Sequence, residues 1–163
     1  MENMKMIVTG SILTLVTVGQ IVLAILLYDR NGNTVFINLG WVILWLSAAF
    51  GWLPIFTFKK WGGVPKGKSY LHTTVLVDRG VYAIVRHPQY LAGILMSLAL
   101  PLISQHWAVA VLGSVAAAIN YMDTLEEEAS AIEKFGDQYR EYMQRVPRIN
   151  FLLGTYRLLT KKR

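Results

Sequence analysis

The chain has 163 residues, 54% of them hydrophobic and only 16% charged, where an ordinary soluble domain has about 25% charged. It has no cysteine, which excludes disulfides, thiolate catalysis and cysteine metal sites. The net charge of +6 reads as cationic loops facing anionic lipid rather than as a nucleic-acid surface.

Residues 6–28 carry no charge, and residues 31–58 again carry none. Each stretch exceeds the ~20 residues needed to cross bilayer hydrocarbon, so both read as transmembrane helices. The first is too long for the apolar core of a cleavable leader, and "LLYDRNG" offers no small-x-small cleavage site. It is therefore expected to remain as a span. Beyond Phe58, "KKWGGVPKGKSYLHTTVLVDRG" is polar, basic and rich in glycine, a loop with a short extended piece at "TTVLV". Two shorter apolar stretches follow, residues 89–104 and 107–122. Each is about 24 Å long as helix, so each is either a short span or continues past the hydrocarbon at one end. "SQH" between them reads as a tight turn, Trp107 as an interface anchor and Pro101 as a source of a kink.

The basic residues orient the chain. Lys59, Lys60, Lys66, Lys68, Arg79 and Arg86 fall in the segment 59–88, and eight more follow Asp123, whereas the turn at 104–107 has none. Positive segments stay inside, so four spans with both termini cytoplasmic are expected. In the tail, Ile132, Phe135, Tyr139, Tyr142, Met143 and Val146 recur at helical spacing. They predict an amphipathic helix on the membrane or against the loop, with Gly136 its weak point. "TYRLLTKKR" reads as a basic surface anchor. The expected fold is all-α, an integral membrane helical bundle of about four transmembrane helices plus a C-terminal amphipathic helix. Residues 1–60 form an N-terminal transmembrane hairpin, and 61–163 form a core of loop, helical hairpin and tail.

Two constellations carry chemistry. In Arg86-His87-Pro88 the proline suits the first position of a helix, which places Arg86 and His87 at the helix entrance. Free amides there, the positive end of the dipole and a guanidinium suit an anionic group, with Tyr90 in the first turn. The bland alternative is an arginine snorkelling to headgroups and a tyrosine of the aromatic belt. In "DTLEEEASAIEKFGDQY" three carboxylates follow the fourth span. Glu127 and Glu128 suit a cationic amine or a ribose diol. The structural alternative is a capping box opening the tail helix, Asp123 with Glu126 or Thr124 with Glu127.

Taken together, "LVDRGVYAIVRHPQYLAG", an apolar hairpin and "EEEASAIEKFGDQYREYMQRVPR" resemble the isoprenylcysteine carboxyl methyltransferase family and its relatives, including the phospholipid N-methyltransferases. The matching positions are Leu76, Val77, Gly80, Tyr82, Arg86, His87, Pro88, Tyr90, Glu127, Glu128, Phe135, Gly136, Tyr139 and Tyr142, within residues 76–148. The resemblance implies an integral membrane enzyme using S-adenosylmethionine bound at the cytoplasmic surface, and a lipid-like substrate arriving from the bilayer. By that resemblance Leu76, Val77, Tyr82, Arg86, His87, Tyr90, Glu127 and Glu128 bind the cofactor. Arg86 and His87 take its carboxylate, the Glu pair its ammonium or diol, "TTVLV" its adenine, and Tyr82 or Tyr90 its sulfonium. It assigns no catalytic side chain and no metal.

One position departs from the pattern. Members that methylate a prenylcysteine carboxylate are expected to have an arginine four residues before the Glu pair, where this chain has Asp123. An aspartate repels a carboxylate acceptor and suits an amine headgroup, although a helix cap explains it equally well. Two other readings compete. A sterol-type reductase would bind NADPH at a related C-terminal site, but the acidic triplet opposes a phosphate-bearing ligand. The other is a non-catalytic membrane scaffold.

Overall fold

The structure, a computed structural model, describes residues 2–63 and 75–160. Among the described residues, six α-helices and one 3₁₀ turn follow in order: α1 (Glu2–Leu26), α2 (Thr34–Trp61), the turn Gly80–Ala83, α3 (Pro88–Ser104), α4 (Trp107–Phe135), α5 (Asp137–Arg145) and α6 (Phe151–Thr160). Among the described residues there is no strand. Of the expected extended piece, Val75, Leu76 and Val77 are irregular, while Thr73 and Thr74 lie outside the described residues. So do Lys161, Lys162 and Arg163 of the basic anchor.

Local chemistry sets the helix ends. Asn33 Oδ1 accepts the Val35 amide at 2.9 Å and opens α2, and Asn150 Oδ1 accepts the Leu153 amide at 3.0 Å and opens α6. Pro88 is the first residue of α3, as its missing N–H favours. Among the described residues, three helices are long and apolar enough to cross a membrane: α1 over Ile7–Leu26, α2 and α4. With α3, a shorter apolar helix of 17 residues, they make a helical membrane bundle.

The two short apolar stretches resolve differently. Helix α3 stops at Ser104, whereas α4 runs 29 residues, straight through Asp123 and the acidic triplet. The alternative reading as a capping box is therefore overturned, because Asp123, Thr124, Glu126 and Glu127 lie inside a continuous helix. Leucine, alanine and glutamate sustain helix across residues 125–132, so the chain has no reason to restart there. The break comes later. Gly136 adopts φ +57°, a left-handed conformation that glycine takes without strain, and it separates α4 from α5. The single amphipathic tail helix expected from the sequence is thus two.

The chain divides into two compact units. The first holds residues 1–48 and 92–123. In it Gln20, fully buried on α1, donates to the carbonyls of Ser97 at 2.9 Å and Val109 at 3.3 Å. A side-chain amide so placed joins three helices where no water can compete. Gly113 permits this: a Cβ there would strike the Ser97 carbonyl and the Gln20 amide. Large apolar side chains such as Leu15 and Trp45 point outward, as they do towards lipid.

The second unit holds residues 49–91 and 124–163. Its core is Tyr139, Tyr142 and Val146, against which Leu76, Ala131, Ile132, Phe135 and Met143 pack. Phe50 meets Phe151, and Phe58 meets Tyr82, with ring centroids 5.4 Å and 4.7 Å apart.

Candidate functional site

The site lies within the second unit, and its backbone is pinned before any ligand is considered. The amides of Arg86 and His87 donate to the carbonyls of Pro147 and Arg148, at 3.0 Å and 3.1 Å. The Tyr142 hydroxyl donates to the Tyr82 carbonyl at 2.6 Å. Gly154 of α6 sits where a Cβ would collide with the Ile84 carbonyl. Residues 82–87 are thus clamped by α5, α6 and the link between them. The two amides just before α3 are engaged by protein, not left free for an anion as the sequence suggested.

Four side chains converge beneath that clamp. Glu128, buried on the last turns of α4, is the hub. Its Oε1 lies 2.7 Å from Arg86 Nη2, 3.2 Å from His87 Nε2 and 3.0 Å from Arg148 Nε. Its Oε2 accepts Arg148 Nη2 at 2.5 Å. Arg86 Nη1 also donates to the Met143 carbonyl at 2.9 Å. The Arg86 Nε is buried and has no hydrogen-bond partner. A buried carboxylate between two guanidiniums leaves the cluster net positive. His87 Nδ1 faces Glu127 Oε2 at 3.6 Å, too long for a hydrogen bond but close enough for charge to matter.

The two glutamates therefore separate. The Glu128 side chain is 5% exposed and is held by its own protein, while that of Glu127 is 53% exposed and faces outward. Glu127 lines a cleft of about 260 Å³ beside the cluster. Drug-sized ligands occupy pockets of roughly 300–1,000 Å³, so this cleft takes one ring system and its near neighbours. Arg86, His87, Glu127 and Lys134 give its charged side. Phe58, the irregular strip Val75 to Val77, Tyr82, Phe135, Tyr139 and Tyr142 give its apolar and aromatic side.

Of the residues proposed from sequence, Leu76, Val77, Tyr82, Arg86, His87 and Glu127 come together around this cleft. Glu128 stands behind them as the anchor of Arg86 and His87. Tyr90 touches the His87 ring edge-on, with centroids 5.9 Å apart, and is absent from the cleft wall. Sequence reasoning missed Arg148, Phe58 and Lys134. Arg148 had a signal, an arginine after Val146-Pro147 at the end of the matching stretch, but no spacing rule pairs it with a glutamate twenty positions earlier.

The two core tyrosines keep their phenolic protons. Burial pushes the Tyr142 phenol well above its ordinary value, and the neighbouring Tyr139 and Tyr82 phenols push the same way. Burial, then the Glu128 charge, does the same to Tyr139.

An arginine–histidine–carboxylate cluster at one end of an aromatic cleft fits a zwitterionic nucleoside in its donor set. The cleft offers cationic and anionic groups side by side, a ring-sized apolar wall, and in Arg86 Nε a buried donor still to be satisfied. The chain is 33% identical over 116 residues to the protein-S-isoprenylcysteine O-methyltransferase of Rattus norvegicus, a match covering 64% of this chain and 41% of that protein. The chain thus matches about two fifths of that relative's length. The family model described as phospholipid methyltransferase matches residues 35–138, a stretch that includes Arg86, His87, Glu127 and Glu128. With most of its length inside that match, the chain belongs to the phospholipid methyltransferase family.

Proposed function

We propose that this integral membrane protein transfers a methyl group from S-adenosylmethionine to a lipid-like acceptor, an amine headgroup in preference to a prenylcysteine carboxylate. The observation that carries the reading is the net-positive Arg86–His87–Glu128–Arg148 cluster set against the exposed Glu127 on one aromatic cleft. When bound, the cofactor supplies a methyl group already activated on a sulfonium.

The chain's own residues then have modest tasks. Arg86 Nε and His87 hold a carboxylate, and Glu127 holds an ammonium or a diol. Val75, Leu76, Val77 and Phe135 cover an adenine-sized ring. Tyr82 and Tyr139 present aromatic faces that favour a cation. Tyr90 holds the His87 ring at its angle. Glu128 and Arg148 fix Arg86 and His87 so that little reorganisation is needed on binding. Excluding water from the apolar side of the cleft completes what the protein must do. Asp123, half-buried one turn before Glu127, supports the cationic acceptor, since a carboxylate beside it would be repelled. The basic residues of the loop and tail support a site and termini on the cytoplasmic side.

Titration of the detergent-purified protein with S-adenosylhomocysteine tests the reading. Saturable binding supports it; binding of NADPH instead, or of neither ligand, overturns it. Incubation with methyl-labelled cofactor and total lipid extract then identifies the acceptor by which molecule gains the label.

A further inference from the structure

Helix α6 is apolar on two opposite sides. The inner side is occupied: Gly154 is buried against the Ile84 carbonyl, and Phe151 meets Phe50. Leu152, Tyr156 and Leu159 fall on one stripe at helical spacing, on the side away from Gly154. They are 70%, 65% and 79% exposed. On another side of α6 lies a second cleft, of about 350 Å³, whose walls include Arg157 and Leu158 of α6, Arg145 of α5, Val146 and Asp78. Asp78 Oδ2 stands 3.5 Å from Arg145 Nη2, but both partners are well exposed and such pairs are weak, so the cleft stays net positive. Lys161, Lys162 and Arg163 follow directly in the sequence.

A short helix with an exposed apolar stripe, flanked by basic groups, has the chemistry of a helix lying in a membrane interface. We infer that α6 lies in the surface of an anionic leaflet, its Leu152–Tyr156–Leu159 stripe at the acyl–headgroup boundary, and that the Arg145–Arg157 cleft takes the phosphate of one lipid. Charge complementarity selects this occupant. A second copy of the chain seated on the stripe by twofold symmetry would bring the same basic flank against itself, whereas an anionic leaflet neutralises it. Through Gly154 and Ile84 the helix is also tied to the clamped segment 82–87, so the leaflet is in mechanical register with the site.

The absence of cysteine makes the test direct. Leu152→Cys and Leu159→Cys, nitroxide-labelled in the full chain, are placed in nanodiscs containing phosphatidylglycerol. Gln138→Cys, an exposed polar position on α5, serves as the aqueous reference. Molecular oxygen should relax the labels at 152 and 159 several-fold more than the reference, and a water-soluble nickel chelate several-fold less. Short-chain phosphatidylglycerol should bind the detergent-purified protein about fivefold more weakly after Arg157→Gln, the weight of one basic group at an anionic surface. Nickel access at 152 and 159 equal to the reference overturns the interfacial helix. Dipolar broadening between singly labelled chains means that a second copy covers the stripe, and overturns it as well. Unchanged lipid affinity in Arg157→Gln overturns the phosphate cleft. None of these readouts involves the methyl donor, so they stand or fall apart from the proposed activity.

Discussion

Arg148 grips Glu128 with two nitrogens, Nε to Oε1 at 3.0 Å and Nη2 to Oε2 at 2.5 Å, across twenty positions of chain. A fork of this kind fixes the carboxylate in plane as well as in place. Glu128 in turn holds Arg86 and His87, so the arginine at the end of the site governs the two at its entrance.

Removing the hub should therefore cost stability first. Glu128→Gln leaves two guanidiniums in a buried cluster without their counter-charge, and breaking such a network costs roughly 3–5 kcal/mol. Thermal unfolding in detergent should show a large downward shift, and S-adenosylhomocysteine binding should fall with it. An unshifted unfolding curve would remove Glu128 from its structural role.

Glu127 should behave in the opposite way. Its side chain is half exposed, so Glu127→Gln should change stability by less than about 0.5 kcal/mol. A charged hydrogen bond to the ligand is worth about 1.5–3 kcal/mol, so affinity for S-adenosylhomocysteine should drop by roughly ten- to a hundred-fold. Calorimetric titration of a normally folded variant checks both halves, and unaltered affinity would take Glu127 off the ligand.

His87→Ala should abolish detectable binding of the same ligand. The variant also removes a buried ring that Glu128, Glu127 and Tyr90 surround, so its unfolding curve must be recorded alongside. A folded variant with full affinity excludes His87 from binding.

Tyr142→Phe deletes the 2.6 Å hydrogen bond to the Tyr82 carbonyl and should lower stability by about 1 kcal/mol. It should also alter the alkaline limb of a stability profile. An unfolded phenol ionises near pH 10, while in the fold burial and the adjacent phenols keep Tyr142 protonated to higher pH. Its contribution is complete below about pH 10 and is lost as pH rises beyond it. The variant should lose stability less steeply there, which chemical denaturation at a series of alkaline pH values would reveal.

Gly154→Ala places a Cβ against the Ile84 carbonyl. Overpacking of this kind costs about 1–3 kcal/mol, and because Ile84 leads into Arg86 the variant should also bind S-adenosylhomocysteine more weakly. Normal stability together with normal affinity would show that α6 yields freely.

The architecture was largely legible, because its signals are local. Uncharged runs marked α1 and α2, and a proline marked the first residue of α3. The acidic triplet misled because its two readings, cap and site, share the same residues. Only continuity of α4 through Asp123 removes the cap, and no short window of sequence shows it. The two glutamates looked equivalent for a similar reason: one residue step turns a side chain by about 100° on a helix, from an exposed rim to a buried hub. Arg148 and the carbonyls of Pro147 and Arg148 were invisible because their partners lie far away in the chain and follow no periodicity.

The clamp on residues 82–87 also sets a timetable. Tyr82 leaves the ribosome sixty residues ahead of Tyr142, whose hydroxyl it receives. During translation the arginine–histidine pair must wait, unmatched, while the hairpin that follows it is threaded into the bilayer. Helices α5 and α6, made later, arrive as the fastener. A nascent chain halted before Pro147 would be anchored in the membrane with Arg86 and His87 still loose.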